Sequence, residues 1–298
     1  MSNGIIRSKG EKLFNVINII IQVILIICFL LPIWSVVATS FLGTKEAALR
    51  GQYQVWVHTL DFSSYKLLIS RGSSIYKSFG LSLHITVFGT LMNMLFTIPL
   101  AYGLSKKEMP GRGWLTVLVT IPMFFGGGLI PSFMVVSSLG LRNTLSALII
   151  PTLLSSWNTL LMRNFFMQIP GELEESAMLD GASVMRIILQ IIIPLSLPSI
   201  ATISMFYAVG HWNEWFNASL YIDDPGRYPL QLILRSIVIS GLNQEINATA
   251  ISDPTYVEPA GESLKCAAIV VTSLPMIMIY PFIQKYFTTG IMVGSIKG

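Results

Sequence analysis

The chain has 298 residues, of which 53% are hydrophobic and only 11% charged, whereas soluble domains carry roughly 25% charged residues. That balance excludes an ordinary soluble globular protein, and a net charge of only +4 does not suggest a nucleic-acid partner. The two cysteines, Cys28 and Cys266, lie far apart in apolar runs, so they give neither a disulfide framework nor a metal-ligand spacing.

In chain order, Arg7, Lys9 and Lys12 precede an apolar stretch that begins near Val16 and reaches Ala38. The apolar region of a cleaved signal is only about 7–15 residues, so this one reads as a retained first span over 16–40. A helix needs about 20 mostly apolar residues to cross the hydrocarbon core, and five further segments qualify: 78–104, 114–138, 144–164, 188–220 and 264–286. The expected fold is therefore all-α, a single polytopic domain over residues 1–298 with six transmembrane helices. The third and fourth spans are joined only by Leu139–Asn143, which favours antiparallel neighbours. The fifth contains Pro194 and Pro198; proline breaks the helical ladder, so this segment is predicted to start along the membrane surface and then turn inward. Arg186 and Gln190, four apart among Val184, Ile187, Ile188 and Ile191, read as the polar edge of that surface helix.

Six spans place both termini on one side. Arg7, Lys9, Lys12, Lys106, Lys107, Arg112, Lys285 and Lys297 fall on that side, which makes it cytoplasmic by the positive-inside rule. The first outer loop opposes this signal with Lys45, Arg50, Lys66, Arg71 and Lys77. The last outer loop, about 222–262, carries Asp223, Asp224, Pro225, Asp253, Pro254 and Pro259, and is expected to meet a partner on the outer face.

On the cytoplasmic side lies ELEESAMLDGAS, residues 172–183, with four of the fifteen acids of the chain between two apolar runs. Glu172, Glu174 and Glu175 suit the first turn of a helix, at the positive end of its dipole, and Gly181 suits its stop. A helix of about ten residues is about 15 Å long and cannot cross a bilayer. Glu174, Ala177 and Gly181 recur at i, i+3 and i+7 and so share a face. Small residues rimmed by acids make a plug shaped for a partner protein; the alternative is a solvated acidic loop.

This stretch resembles the "EAA" loop of ABC importer permeases, whose pattern is Glu-Ala-Ala, a short spacer, Gly and, further on, an apolar–Pro pair. The chain has Glu175-Ser176-Ala177, Gly181 and Ile193-Pro194, departing from the pattern only at Ser176. Asp180-Gly181-Ala182 is similar to the carbohydrate-uptake branch, and GLIPSFMVVSSLGLRNTLSALIIP from Gly128 is similar to the maltose-type permeases. Gly126-Gly127-Gly128 and YPLQLILR at 228 resemble a narrower group associated with aldouronate-like and other acidic plant oligosaccharides. The resemblance implies a permease subunit of an oligosaccharide importer in the cytoplasmic membrane of a bacterium. It implies a coupling loop over 170–194, with Glu174, Glu175, Ser176, Ala177, Asp180 and Gly181 meeting a cytoplasmic ATPase. It further implies a second, non-identical permease, two ATPase copies and an extracytoplasmic solute-binding protein. The chain contains no G-x-x-x-x-G-K-[ST] phosphate loop, so it is expected not to be an enzyme and to hold no metal or cofactor; ATP and Mg²⁺ belong to the partner ATPase.

The second informative stretch is GHWNEWFN, residues 210–217. Ionisable residues at membrane depth are costly and mark function, and Trp212 and Trp215, three apart, are expected to be neighbours on a helix. Aromatic faces beside polar groups suit the apolar faces and hydroxyl edges of a sugar, so Trp212, Asn213, Glu214 and Trp215 are the candidate substrate path; an interfacial aromatic belt is the alternative. His84, Asn93 and Asn158 read as helix–helix hydrogen bonds worth about 1 kcal/mol each, and Gly126–Gly128 as a site of close helix packing. An acidic substrate would want cations in the cavity; Arg235 and Lys265, both outside the core, are the candidates.

An ion-driven secondary transporter would leave the acidic loop unexplained and would often show inverted repeats. An intramembrane enzyme would need a site, yet the three histidines are scattered and neither H-E-x-x-H nor G-x-S-x-G occurs. A membrane anchor or assembly factor would not need Glu214 within a span.

Overall fold

The computed structural model describes residues 9–51, 54–70, 73–240 and 261–295. Among these, helices α1 (Lys9–Thr39), α2 (Thr44–Arg50) and α3 (Ser63–Ile69) come first. They are followed by α4 (Ser74–Ser105), α5 (Arg112–Phe124), α6 (Leu129–Ser138), α7 (Ser146–Ile149) and α8 (Ser156–Phe166). The chain continues through α9 (Glu172–Leu179), α10 (Val184–Ile187), α11 (Ile193–Leu195), α12 (Leu197–Trp212) and α13 (Phe216–Tyr221), then α14 (Leu230–Ser240) and α15 (Gly261–Ser295). The all-helical expectation holds among the described residues, where the only pairing of extended backbone is an isolated antiparallel bridge between Leu42 and Leu60. Arg7, Arg71, Asp253, Pro254, Pro259 and Lys297 lie outside the described residues.

The expectation of six spans is met in part. Among the described residues, three helices are long and apolar enough to cross a membrane, at Gly10–Thr39, Ser74–Ser105 and Gly261–Pro281. A fourth forms if Val184–Leu195 and Leu197–Trp212 are taken as one bent span. The third and fourth expected spans are each broken into shorter helices, at Phe125–Gly128 and across Ile150–Ser155. Gly128, at φ 86° and ψ 169°, occupies a backbone region essentially reserved for glycine. The glycine triplet is thus an unwound segment and not a helix-packing site: nothing lies within 4 Å of a Cβ built on Gly126 or Gly127. The predicted turn in the fifth span is present. The two halves meet at 87°, at Ser196 between Pro194 and Pro198. Before Pro194, which offers no N–H to the preceding turn, the ladder widens to a π-helix over Ile188–Ile192.

The chain forms two units, one within residues 1–73 and 241–271, the other within 74–240 and 272–298. In the first, α1 exposes apolar side chains on every side from Leu13 to Trp34, as a helix solvated by lipid does. Its end is pinned by hydroxyls. Ser40 Oγ meets Tyr65 Oη at 2.6 Å, Ser263 Oγ donates to the Ser40 carbonyl at 3.2 Å, and Ser64 and Ser263 share a bond of 3.0 Å. The following loop closes on Glu46. Its carboxylate accepts the backbone N–H of His58 (3.0 Å) and of Thr59 (3.3 Å) and the Thr59 hydroxyl (3.0 Å), and bonds His58 Nδ1 at 3.0 Å. The His58 N–H foremost, against the opposing effect of burial, holds this carboxyl down at about 2.

In the second unit α4 is the central post, contacting α5, α7, α8, α12 and α14. Its inward stripe is small or polar, with Ser78, Ser82, Gly89, Asn93, Thr97 and Ala101 buried, while Leu83, Val87, Leu91 and Leu95 face outward. This is the inversion expected in lipid, where helices associate through close packing and interhelical hydrogen bonds. Gly89 is the closest approach: a Cβ there would lie 2.6 Å from His211 Nε2. At one end of α4, Tyr102 joins Met162, Phe166, Ile187 and Ile192 in a buried apolar cluster.

Candidate functional site

Helix α9 is the acidic stretch. It has eight residues, with Glu172, Glu174 and Glu175 in its first turn. It ends as the sequence predicts: Gly181 takes φ +79°, its N–H donates to Met178 O (3.0 Å), and Ala182 N–H donates to Ala177 O (2.9 Å). These are the paired bonds of a Schellman stop.

The face assigned to it is corrected. Glu174 is buried, not offered to a partner. Its carboxylate accepts from Tyr102 Oη at 2.9 Å and pairs with Lys106 Nζ, and Lys106 also lies 4.8 Å above the Tyr102 ring. Ala177 is half-buried and packs against the apolar cluster under α9. The exposed residues include Glu172, Glu175, Ser176, Asp180 and Gly181 with the apolar residues Leu173, Met178 and Leu179, the last 89% exposed. Sequence reasoning missed Leu179, Tyr102 and Lys106. A leucine within an acidic run carries no sign of its exposure, and Lys106 is 68 positions from Glu174.

Where backbone leaves the helical ladder at membrane depth, its polar groups must be met by other groups. Asn93 Nδ2 donates to Thr152 O (2.7 Å) and Leu153 O (2.8 Å), and its Oδ1 bonds His211 Nε2 at 2.6 Å. Tyr207 Oη accepts the Ser155 N–H (3.1 Å) and bonds Thr97 Oγ1 (2.9 Å). Asn93 thus makes the helix–helix bonds expected of it, and the same bonds satisfy the break before α8. Asn158 is buried, whereas His84 is exposed and stacks on Phe88.

The four candidate path residues do not share a helix face, because α12 ends at Trp212 and α13 begins at Phe216. Trp212 is buried, edge-on to Phe79 at 5.8 Å, and donates Nε1–H to Thr272 O at 3.3 Å. Asn213 is exposed and donates to Val209 O. Glu214 caps α13, accepting Asn217 N–H and Nδ2–H, each at 2.8 Å. Trp215 is partly exposed, with the Arg235 guanidinium 4.2 Å above its ring, a cation–π geometry. Arg235 is exposed and makes no ion pair among the described residues, while Lys265 pairs with Glu262 at 2.8 Å.

The family described as a binding-protein-dependent transport system inner membrane component matches residues 4–293. The chain belongs to that family. It is a membrane permease component of an ABC transport system, and not an enzyme; ATP hydrolysis lies on a partner subunit. The permease is 42% identical over 275 residues, 92% of its length and 94% of the relative's, to the polygalacturonan/rhamnogalacturonan transport system permease protein YtcP of Bacillus subtilis. It is 40% identical to Protein LplC of the same organism, over 98% of its own length and 97% of that protein's. Among solved structures, it superimposes with a TM-score of 0.87 and 29% identity on a chain of a bacterial ABC transporter involved in the import of the acidic polysaccharide alginate, covering 95% of this permease and all of that chain.

Proposed function

We propose that this permease forms half of the transmembrane pathway of an importer for acidic plant oligosaccharides, paired with a second, non-identical permease. Six membrane crossings, some by broken helices, place both termini and α9 in the cytoplasm. Two copies of an ATPase carrying ATP and Mg²⁺ receive α9, and an extracytoplasmic solute-binding protein delivers the sugar to the opposite face. Glu175, Ser176, Asp180, Gly181 and Leu179 form the docking face of α9, and Glu174 and Ala177 seat it. Asn213, Glu214 and Trp215 serve the substrate path, with Trp212 supporting them from the packed side.

The observation that carries the substrate class is the 42% identity, over nearly the whole chain, to a permease named for polygalacturonan and rhamnogalacturonan. The exposed Arg235 over Trp215 agrees with it, since an aromatic face suits a sugar ring and a guanidinium suits its carboxylate. The test is uptake of labelled oligogalacturonate by the source bacterium with and without this gene. Deletion should abolish uptake and Arg235→Gln should weaken it, with neutral oligosaccharides unaffected by the substitution. Undiminished oligogalacturonate uptake in the deletion strain would overturn the substrate assignment.

A further inference from the structure

A second polar site lies at the same end of α4 as α9, and the transport reading leaves it unused. A cavity of about 500 Å³ is lined by Lys107, Gly111, Arg112, Gly113, Thr116 and Arg163, together with Met109. Arg112 and Arg163 come from different helices and converge on one acceptor: each donates its Nε–H to the carbonyl of Leu104, at 2.9 and 3.2 Å. That shared anchor fixes two half-buried guanidinium groups side by side, although like charges repel. Neither they nor Lys107 makes an ion pair among the described residues. Glu108, the acid of this connection, does not line the cavity, and the neighbouring Lys106 is committed to Glu174. Three cations without a carboxylate around an open cavity call for an anion, and guanidinium forks suit phosphate oxygens.

The surroundings select the source of that phosphate. Directly from the cavity, α5 carries an exposed apolar stripe of Trp114, Val117, Leu118 and Ile121, at the i, i+3, i+4 and i+7 positions of one helix face. Trp114 is 78% exposed, as tryptophans at the headgroup level of a bilayer are. A free phosphate has no use for that stripe; a phospholipid would lay its acyl chains along it. We propose that the Arg112–Arg163–Lys107 cavity binds the phosphodiester headgroup of an anionic phospholipid, with the chains against α5. This site is independent of which sugar the transporter carries.

The experiment is native mass spectrometry of the complete, purified and delipidated transporter, titrated with phosphatidylglycerol and, separately, with phosphatidylcholine. Wild type should retain one tightly held phosphatidylglycerol at this site, and phosphatidylcholine should not replace it. Each cation near an anionic headgroup contributes roughly a fivefold gain in affinity, so Arg112→Gln with Arg163→Gln should weaken retention about 25-fold. Arg112→Lys with Arg163→Lys should preserve most of it. Lys107→Gln, at an exposed position with no ion pair among the described residues, should weaken retention about fivefold and decides the matter if the double arginine variant fails to assemble. Unchanged retention in the glutamine variants, equal retention of phosphatidylcholine, or displacement of the lipid by millimolar inorganic phosphate would overturn the proposal. So would loss of the ATPase subunit with lipid retention intact, which would make the cavity a protein contact.

Discussion

At the scale of single residues, the chain uses buried carboxylates as clamps. Glu46 draws two backbone amides, a hydroxyl and an imidazole onto one side chain and so closes the loop after α1. Its folded carboxyl is held at about 2 against 4.5 for a free one. The stabilisation is therefore fully present above about 4.5 and is lost as pH falls toward 2, because the unfolded loop takes up a proton that the folded loop refuses. Amide protection at His58 and Thr59 should fall across that window in the wild type. Glu46→Gln should lower it already at neutral pH and flatten its pH dependence. A wild-type profile unchanged between pH 5 and pH 3 would show that the clamp does not hold the loop. Nothing in the local sequence marks Glu46 out, since its partners lie 12 and 13 positions away.

Among elements, the join between α9 and α4 is the informative contact. Propensity and capping residues predict that α9 starts at Glu172 and stops at Gly181, but periodicity alone cannot say which of its faces is the inner one. The inner face is set by Tyr102 and Lys106, which meet Glu174 and draw α9 onto the apolar cluster. On the coupling reading proposed above, a push on α9 would reach the central helix of the unit through this contact. Glu174→Gln and Lys106→Met should each lower thermal stability. A double-mutant cycle should return a coupling of about 0.5–3 kcal/mol, at the lower end because the lysine is partly exposed to solvent. Both variants should also hydrolyse ATP with reduced transport per turnover when assembled. Additive effects of the two changes would mean that the pair does not hold α9. The bend at Ser196, by contrast, is readable from Pro194 and Pro198, because proline acts through its own missing N–H wherever it stands.

For the molecule as a whole, family membership over residues 4–293 makes the chain one part of a larger machine, and its exposed apolar residues divide accordingly. Those of α1 are accounted for by lipid. Leu179 is not, since it is 89% exposed among acids at the end of a helix too short to span. Docking on the ATPase would bury it. Leu179→Glu should leave the permease inserted and folded but cost about 2 kcal/mol of ATPase association, or about thirtyfold in affinity. The measurement is recovery of the ATPase in a mild-detergent pull-down, and unchanged recovery would remove Leu179 from the docking face.

Composition and local pattern were enough for the class, the long apolar helices and the bent fifth segment. They were also enough for the ends of α9 and, through one short pattern and its resemblance, the transport family. Each of these depends on composition or on residues within a few turns of one another. Tertiary packing was needed to show that Glu174 turns inward, that Trp212 is packed while Trp215 meets Arg235, and that Asn93 and Tyr207 bridge the break before α8. The same holds for the meeting of Arg112 and Arg163 on one carbonyl. Apart from the bond of Arg112 to Leu104, 8 positions away, these contacts join residues at least 20 positions apart. In lipid the polar groups that settle them are few, and each must find an acceptor or donor wherever the fold brings one.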